Sequence, residues 1–170
     1  MVEIYKNIFV GNENDYYQIC FNDKWAVLHC CKNPFHCRFV GYKGNLNTNH
    51  PDYALKRINN EMALNLVDME LFSPRYLDFN RNMFYEAFDF LDEYYAQEYK
   101  LLIHCNQGES RAPMIGMLYT AKLGAYDYKS FDETYIEFQR IYSNFYPKKN
   151  IYFTVKNLWD CFVKDPNVMR

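Results

Sequence analysis

Apolar positions change period several times along this chain, and each change predicts a different element. Ile4, Ile8 and Val10 fall in a strand-like stretch at 4–10, and Trp25 to Leu28 open another at 25–31. The polar-faced residues 12–22 between them predict a helix. Residues 33–50 hold Pro34, Gly41, Gly44 and several asparagines, and form the least ordered stretch. A short helix is predicted over 51–59 and a strand over 62–67. In 80–97, Phe84, Phe88, Leu91 and Tyr95 recur at helical spacing. The apolar run at 100–104 predicts a strand. A helix from 112 follows, with Gly124 as its C-cap. Two more helices are predicted at 127–143 and 149–164. Phe131, Tyr135, Phe138 and Tyr142 stripe the first, and Val155, Leu158, Trp159 and Phe162 stripe the second. Strands alternating with helices imply an α/β domain: a mostly parallel central sheet flanked by helices.

Composition narrows the possibilities. The 170 residues suffice for one domain with a real core, and neither a repeat nor a low-complexity linker divides 1–170. A formal net charge of −2 gives no broad field for nucleic acid. No apolar run is long enough to span a membrane, and the N-terminus lacks a signal-peptide pattern. The six cysteines do not form a secreted-type disulfide framework, which points to the cytoplasm. Seventeen tyrosines and fourteen phenylalanines are expected mainly in the core or half-buried.

The densest chemistry lies in ten residues, His104-Cys105-Asn106-Gln107-Gly108-Glu109-Ser110-Arg111-Ala112-Pro113. A strand that ends, turns and enters a helix gathers backbone N–H groups around one point. The helix N-terminus adds partial positive charge, so the turn attracts anions. Five residues between Cys105 and Arg111 suffice to wrap a tetrahedral dianion, so Asn106, Gln107, Gly108, Glu109, Ser110 and Arg111 are the expected substrate-binding residues. Gly108 permits a backbone angle that a side chain resists. Arg111 offers a planar fork of donors to two phosphate oxygens. Cys105, at the base of this cradle, becomes a nucleophile when these donors favour its thiolate. His104 is expected to brace the cradle from the buried side.

These residues resemble the signature of the cysteine-dependent protein tyrosine phosphatase superfamily, and within it the small dual-specificity phosphatases. The stretches Ile4 to Asn12, Trp25 to His29, Ala63 to Asp68 and Ala87 to Leu91 are similar to other parts of that family's pattern. So is the ending, with Tyr146-Pro147 and then Ile151 to Trp159. The resemblance implies the dual-specificity phosphatase fold and a two-step reaction without metal or cofactor. Cys105 attacks phosphorus to form a phosphocysteine. An aspartic acid protonates the leaving group and then activates water. Arg111 and the loop N–H groups stabilise the equatorial oxygens of the transition state.

The implied substrate is a phosphorylated protein or peptide, carrying phosphotyrosine and, in a shallow cleft, phosphoserine or phosphothreonine. Two residues compete as the acid. Asp68 lies 37 residues before Cys105 and Asp78 lies 27 before it. Asp68 directly follows a strand-like run and is preferred. Asp78 is expected to cap the next helix, with Asn80 as a competitor for that position. Where relatives carry serine or threonine after the arginine, this chain has Ala112, which is expected to slow hydrolysis of the phosphocysteine. Acidic Glu109, with no base among residues 106–110, disfavours highly anionic inositol phosphates. Three alternatives stand beside the phosphatase: a phosphate-binding pseudophosphatase that recognises phosphorylated partners, an RNA 5′-triphosphatase and a phosphoinositide phosphatase. His29-Cys30-Cys31 and His36-Cys37 do not match a familiar zinc spacing, and no metal is expected. In related folds a cysteine at the end of this strand approaches the nucleophile, so Cys30 or Cys31 is a candidate disulfide partner for Cys105 under oxidation.

Overall fold

A computed structural model describes residues 1–127 and 130–163. Its centre is a six-stranded sheet in the order β1-β2-β6-β3-β5-β4. The strands are β1 (Val2–Tyr5), β2 (Ile8–Gly11), β3 (Trp25–His29), β4 (Leu55–Ile58), β5 (Glu61–Leu64) and β6 (Lys100–His104). β2, β6, β3 and β5 run parallel, and β1 and β4 close the two edges antiparallel. Among the described residues six α-helices accompany them: α1 (Glu13–Ile19), α2 (Cys37–Val40), α3 (Leu77–Ala96), α4 (Arg111–Lys122), α5 (Phe131–Ile141) and α6 (Lys149–Val163).

Alternation along the inner strands divides the sheet into unequal faces. Ala26, Leu28, Leu101 and Ile103 turn into a large core beneath α3, α4 and α6. Phe84, Phe88 and Leu91 of α3, Ile115 and Leu118 of α4, and Val155, Leu158 and Trp159 of α6 fill it. Each such side chain contributes about 2 kcal/mol by leaving water. Trp25, Val27 and Leu102 face the other way and form a small cluster with Phe9, Tyr16 and Ile19. That thin face is covered by α1, by a kinked helical turn at Lys32–His36 and by α2.

Several boundaries differ from the sequence reading. The single strand expected at 4–10 is a hairpin, because Asn7 takes a left-handed φ of 61° and reverses the chain. Residues 51–59 do not form a helix. They contain a turn and then β4, which pairs antiparallel with β5 through Asn59 at φ 53°. The stretch 33–50 holds α2 in addition to its loops. α3 starts at Leu77, after a short turn at Pro74–Tyr76, and Tyr76 occupies its N-cap with no side-chain cap bond. Asp78 therefore sits in the first turn and does not cap it. Parts of the helices expected at 127–143 and 149–164, namely 128–129 and 164, lie outside the described residues.

Candidate active site

β6 delivers Cys105 at its C-terminal end, and α4 begins six residues later with Arg111. Gly108, at the turn of the intervening loop, has φ 74°. Its flank lies against β2: a Cβ at Gly108 would stand 2.8 Å from the carbonyl oxygen of Gly11. Three of the loop's carbonyls are tied outward. Asn106 O accepts from Glu13 N at 3.2 Å, and Glu109 O from Tyr146 N at 2.8 Å. Gly108 O accepts from the Tyr142 hydroxyl at 2.8 Å. With those carbonyls engaged from outside, the loop's own N–H groups remain as donors for an anion. Burial and the nearby Cys105 push the Tyr142 phenol up to about 12, so it stays protonated and donates.

Arg111 is 8% exposed and held on two sides. Nη1 donates to Leu66 O at 3.2 Å, and Nη2 to Asn106 Oδ1 at 2.9 Å. Asn106 is fixed in turn, since its Nδ2 donates to Asn33 O at 3.0 Å. Nε of Arg111 is buried and, among the described residues, makes no hydrogen bond. A buried donor of this kind costs about 1–3 kcal/mol unless something accepts from it. A phosphate oxygen in the cradle would be such an acceptor.

The structure separates the two aspartates. Asp68 follows β5 and reaches the cradle: its Oδ1 accepts from Ser110 Oγ at 2.8 Å, and its Oδ2 lies 3.7 Å from Arg111 Nε. Ser110 Oγ also accepts from Lys148 N at 3.1 Å. Asp78 is 83% exposed and pairs with Arg81 on its own helix at 2.9 Å. The residues flanking Asp68, Val67 and Met69, border a cavity of about 400 Å³ that Lys32, Tyr53, Phe79 and Asn150 also line. Ala112 is fully buried in the first turn of α4.

Behind the cradle, Cys105 is 2% exposed and Cys30 is fully buried. Cys30 N donates to His104 O at 2.7 Å, which brings the end of β3 beside Cys105. Burial, and then the neighbouring Cys105, raise the Cys30 thiol well above its ordinary range. All six cysteines are free thiols. His36 bonds Tyr42 and the Asp52 carbonyl, and Cys37 Sγ donates to Asn33 Oδ1. Among the described residues no cluster of three His, Cys, Asp or Glu is arranged to hold a metal.

The turn between β6 and α4 was legible in the sequence, but the groups that brace it were not. Asn33, Leu66, Tyr142, Tyr146 and Lys148 hold the loop from distant parts of the chain, and no local spacing marks them.

No protein-family model matches the chain, and no curated protein does. Solved structures do. A leucine-rich repeat and phosphatase domain containing protein from Entamoeba histolytica aligns with TM-score 0.64 and 13% identity over 98% of this chain and 94% of that one. The human tyrosine phosphatase-like serine/threonine/tyrosine-interacting protein aligns with TM-score 0.61 and 15% identity, covering 94% and 95%. PTPMT1, in a complex with PI(5)P, gives TM-score 0.60 and 14% identity, covering 94% of each chain. The fold is therefore that of the dual-specificity and protein tyrosine phosphatases.

Proposed function

We propose that the chain is a cysteine-dependent phosphoric monoester hydrolase acting on phosphorylated protein or peptide. The observation that carries this reading is the buried Nε of Arg111, which makes no hydrogen bond among the described residues and faces the Asp68 carboxylate at 3.7 Å. It is a cationic donor beside a turn that has three carbonyls tied outward and Cys105 at its base. In this reading Arg111 and the N–H groups of Asn106 to Ser110 grip the phosphoryl oxygens, and the Cys105 thiolate attacks phosphorus from below. The P–O bond to the substrate breaks as the S–P bond forms, and protonated Asp68 gives its proton to the leaving oxygen. Asp68 then takes a proton from water, which attacks the phosphocysteine and releases phosphate and the thiolate. Ser110 orients Asp68 by donating to Oδ1. A reducing compartment such as the cytoplasm suits a thiolate mechanism. Among the described residues, no helix is long and apolar enough to cross a membrane.

The cradle carries no basic residue between Asn106 and Ser110 and has acidic Glu109, which favours a singly phosphorylated side chain over a polyphosphorylated headgroup. Phosphotyrosine is the leading substrate, with phosphoserine and phosphothreonine admitted by the same cleft. Ala112 supports a second reading, a phosphate-binding pseudophosphatase. One solved structure of this fold is named only as phosphatase-like and interacting.

The test is turnover of an aryl phosphate by wild type, Cys105→Ser and Asp68→Asn, followed by phosphopeptides, phosphoinositides and triphosphate RNA. Activity abolished by Cys105→Ser and lowered by Asp68→Asn is expected. Absence of wild-type turnover on every substrate, with phosphopeptide binding retained, would replace the enzyme with the binding module.

A further inference from the structure

A chain of buried polar groups runs from the thin face of the sheet to the back of the cradle. Glu61 begins it at the start of β5, its side chain 20% exposed. Its Oε2 lies 3.0 Å from His29 Nε2. His29 Nδ1 lies 2.5 Å from His104 Nε2. His104 Nδ1 lies 3.4 Å from the carbonyl oxygen of Cys105. Both imidazoles are fully buried. Parallel pairing sets the arrangement, since His29 and His104 are register partners in β3 and β6, and Ala63 pairs with His29 from the other side.

Counting protons decides which way the chain points. The three gaps need three hydrogens, because both ends, a carboxylate and a carbonyl, can only accept. Two neutral imidazoles bring two. One gap is therefore left with two acceptors facing each other. Glu61 also accepts from the Tyr16 hydroxyl at 3.1 Å, so it is held as an acceptor from a second direction. His29 must then turn its Nε2–H to Glu61, and its bare Nδ1 must accept from His104 Nε2–H. His104 Nδ1 is left without a hydrogen beneath Cys105. The distances agree, for the gap at Cys105 is the longest of the three. The remaining charged or titratable neighbours are Arg111 from α4 and Cys105 itself, while Phe35 and Phe39 cover the pair with uncharged rings. Burial, with His29 and Arg111 nearby, keeps His104 well below the usual histidine range, which opposes relief by a third proton at neutral pH.

We propose that Glu61 and His29 are positioning residues for the nucleophile: they lock His104 in the tautomer that turns a bare nitrogen toward Cys105, and so restrain thiolate formation. Glu61 acts through two imidazoles without touching substrate. Glu61→Gln should release the restraint. A glutamine can still accept from Tyr16 through its oxygen, but it can also donate N–H to His29 Nε2. All three gaps are then filled with neutral groups, and His104 presents Nδ1–H to the Cys105 carbonyl.

The inference rests on the proposed function only in giving Cys105 a thiolate to control, and its test requires no turnover. Long-range ¹H–¹⁵N spectra read the tautomers of the four histidines. The expected result at pH 8 is Nε2–H on His29 and His104 in wild type and Nδ1–H on both in Glu61→Gln. Iodoacetamide labelling of Cys105, followed by mass spectrometry across pH, should reach half its maximal rate about one pH unit lower in Glu61→Gln. Nδ1–H on His104 in the wild type, or superimposable labelling profiles, would overturn the proposal. Failure of the wild type to hydrolyse any phosphate ester would count against the phosphatase reading alone.

Discussion

Replacing Gly108 by alanine tests the cradle's geometry most directly, because two costs can be separated. Gly108 sits at φ 74°, where an alanine is strained by about 1 kcal/mol. Its new Cβ would also stand 2.8 Å from the Gly11 carbonyl oxygen and 3.0 Å from its carbon, both backbone atoms of β2. Restoring ordinary contact requires the loop to retreat by roughly half an ångström. That movement strains the bond from the buried Tyr142 hydroxyl, worth about 1 kcal/mol. The sum is about 2 kcal/mol of stability, which a domain of ordinary stability survives. Activity should suffer more, since misplacement on this scale costs on the order of 10- to 100-fold. Gly44→Ala is the control: φ is 80° there and nothing lies within 4 Å of the added carbon, so only the strain is incurred. Urea denaturation and kcat/KM on an aryl phosphate measure both variants. Gly44→Ala should lose about 1 kcal/mol and keep its rate. If Gly108→Ala matched it in both measurements, the contact with Gly11 would not be shaping the cradle.

Other expectations follow from the site and its surroundings. Asp68→Asn should lower kcat by about 10²- to 10⁴-fold, with the smaller loss on substrates whose leaving group needs no proton, while Asp78→Asn stays near wild type; equal effects would reject the assignment of Asp68. Ala112→Ser should raise steady-state turnover and diminish a pre-steady-state burst, and unchanged kinetics would absolve Ala112. Burial holds His29 and His104 below the usual histidine range, so between the unfolded value near 6.5 and their folded values the unfolded chain binds more protons. Stability is therefore greatest above about pH 6.5 and falls as the pH drops below it; a flat urea midpoint between pH 6.5 and pH 5.5 would contradict it. Peroxide should convert Cys105 to a sulfenic acid that the Cys30 thiol captures with loss of water, so peptide mapping should recover a Cys30–Cys105 disulfide and not only sulfinic or sulfonic Cys105.

The sequence disclosed elements where local periodicity and burial agree. Phe84, Phe88 and Leu91 mark α3, and the apolar run at 100–104 marks β6, because these segments bury one stripe or both faces. β4 was misread because its four residues are at most half-buried and gain their conformation from pairing with β5. The hairpin at Asn7 was hidden because one left-handed asparagine makes it. In the candidate site, the turn from Cys105 to Arg111 was legible because it is a local connection between β6 and α4. The position of Asp68 beside Ser110 was only half legible, since it depends on how the loop after β5 returns. The pairing of His29 with His104 spans 75 residues and follows from strand order alone.

The bonds that hold the cradle also bear on when it can form. Tyr142 and Gly108 are 34 residues apart, Lys148 and Ser110 are 38 apart, and Arg111 reaches Leu66 across 45. Closing such distant contacts is slow compared with forming a helix or hairpin. A nascent or refolding chain with β6 and α4 already in place thus has its cysteine and arginine before it has a shaped anion site. If the proposed function holds, recovery of phosphate binding reports the docking of the stretch between α5 and α6, later than the recovery of helical signal.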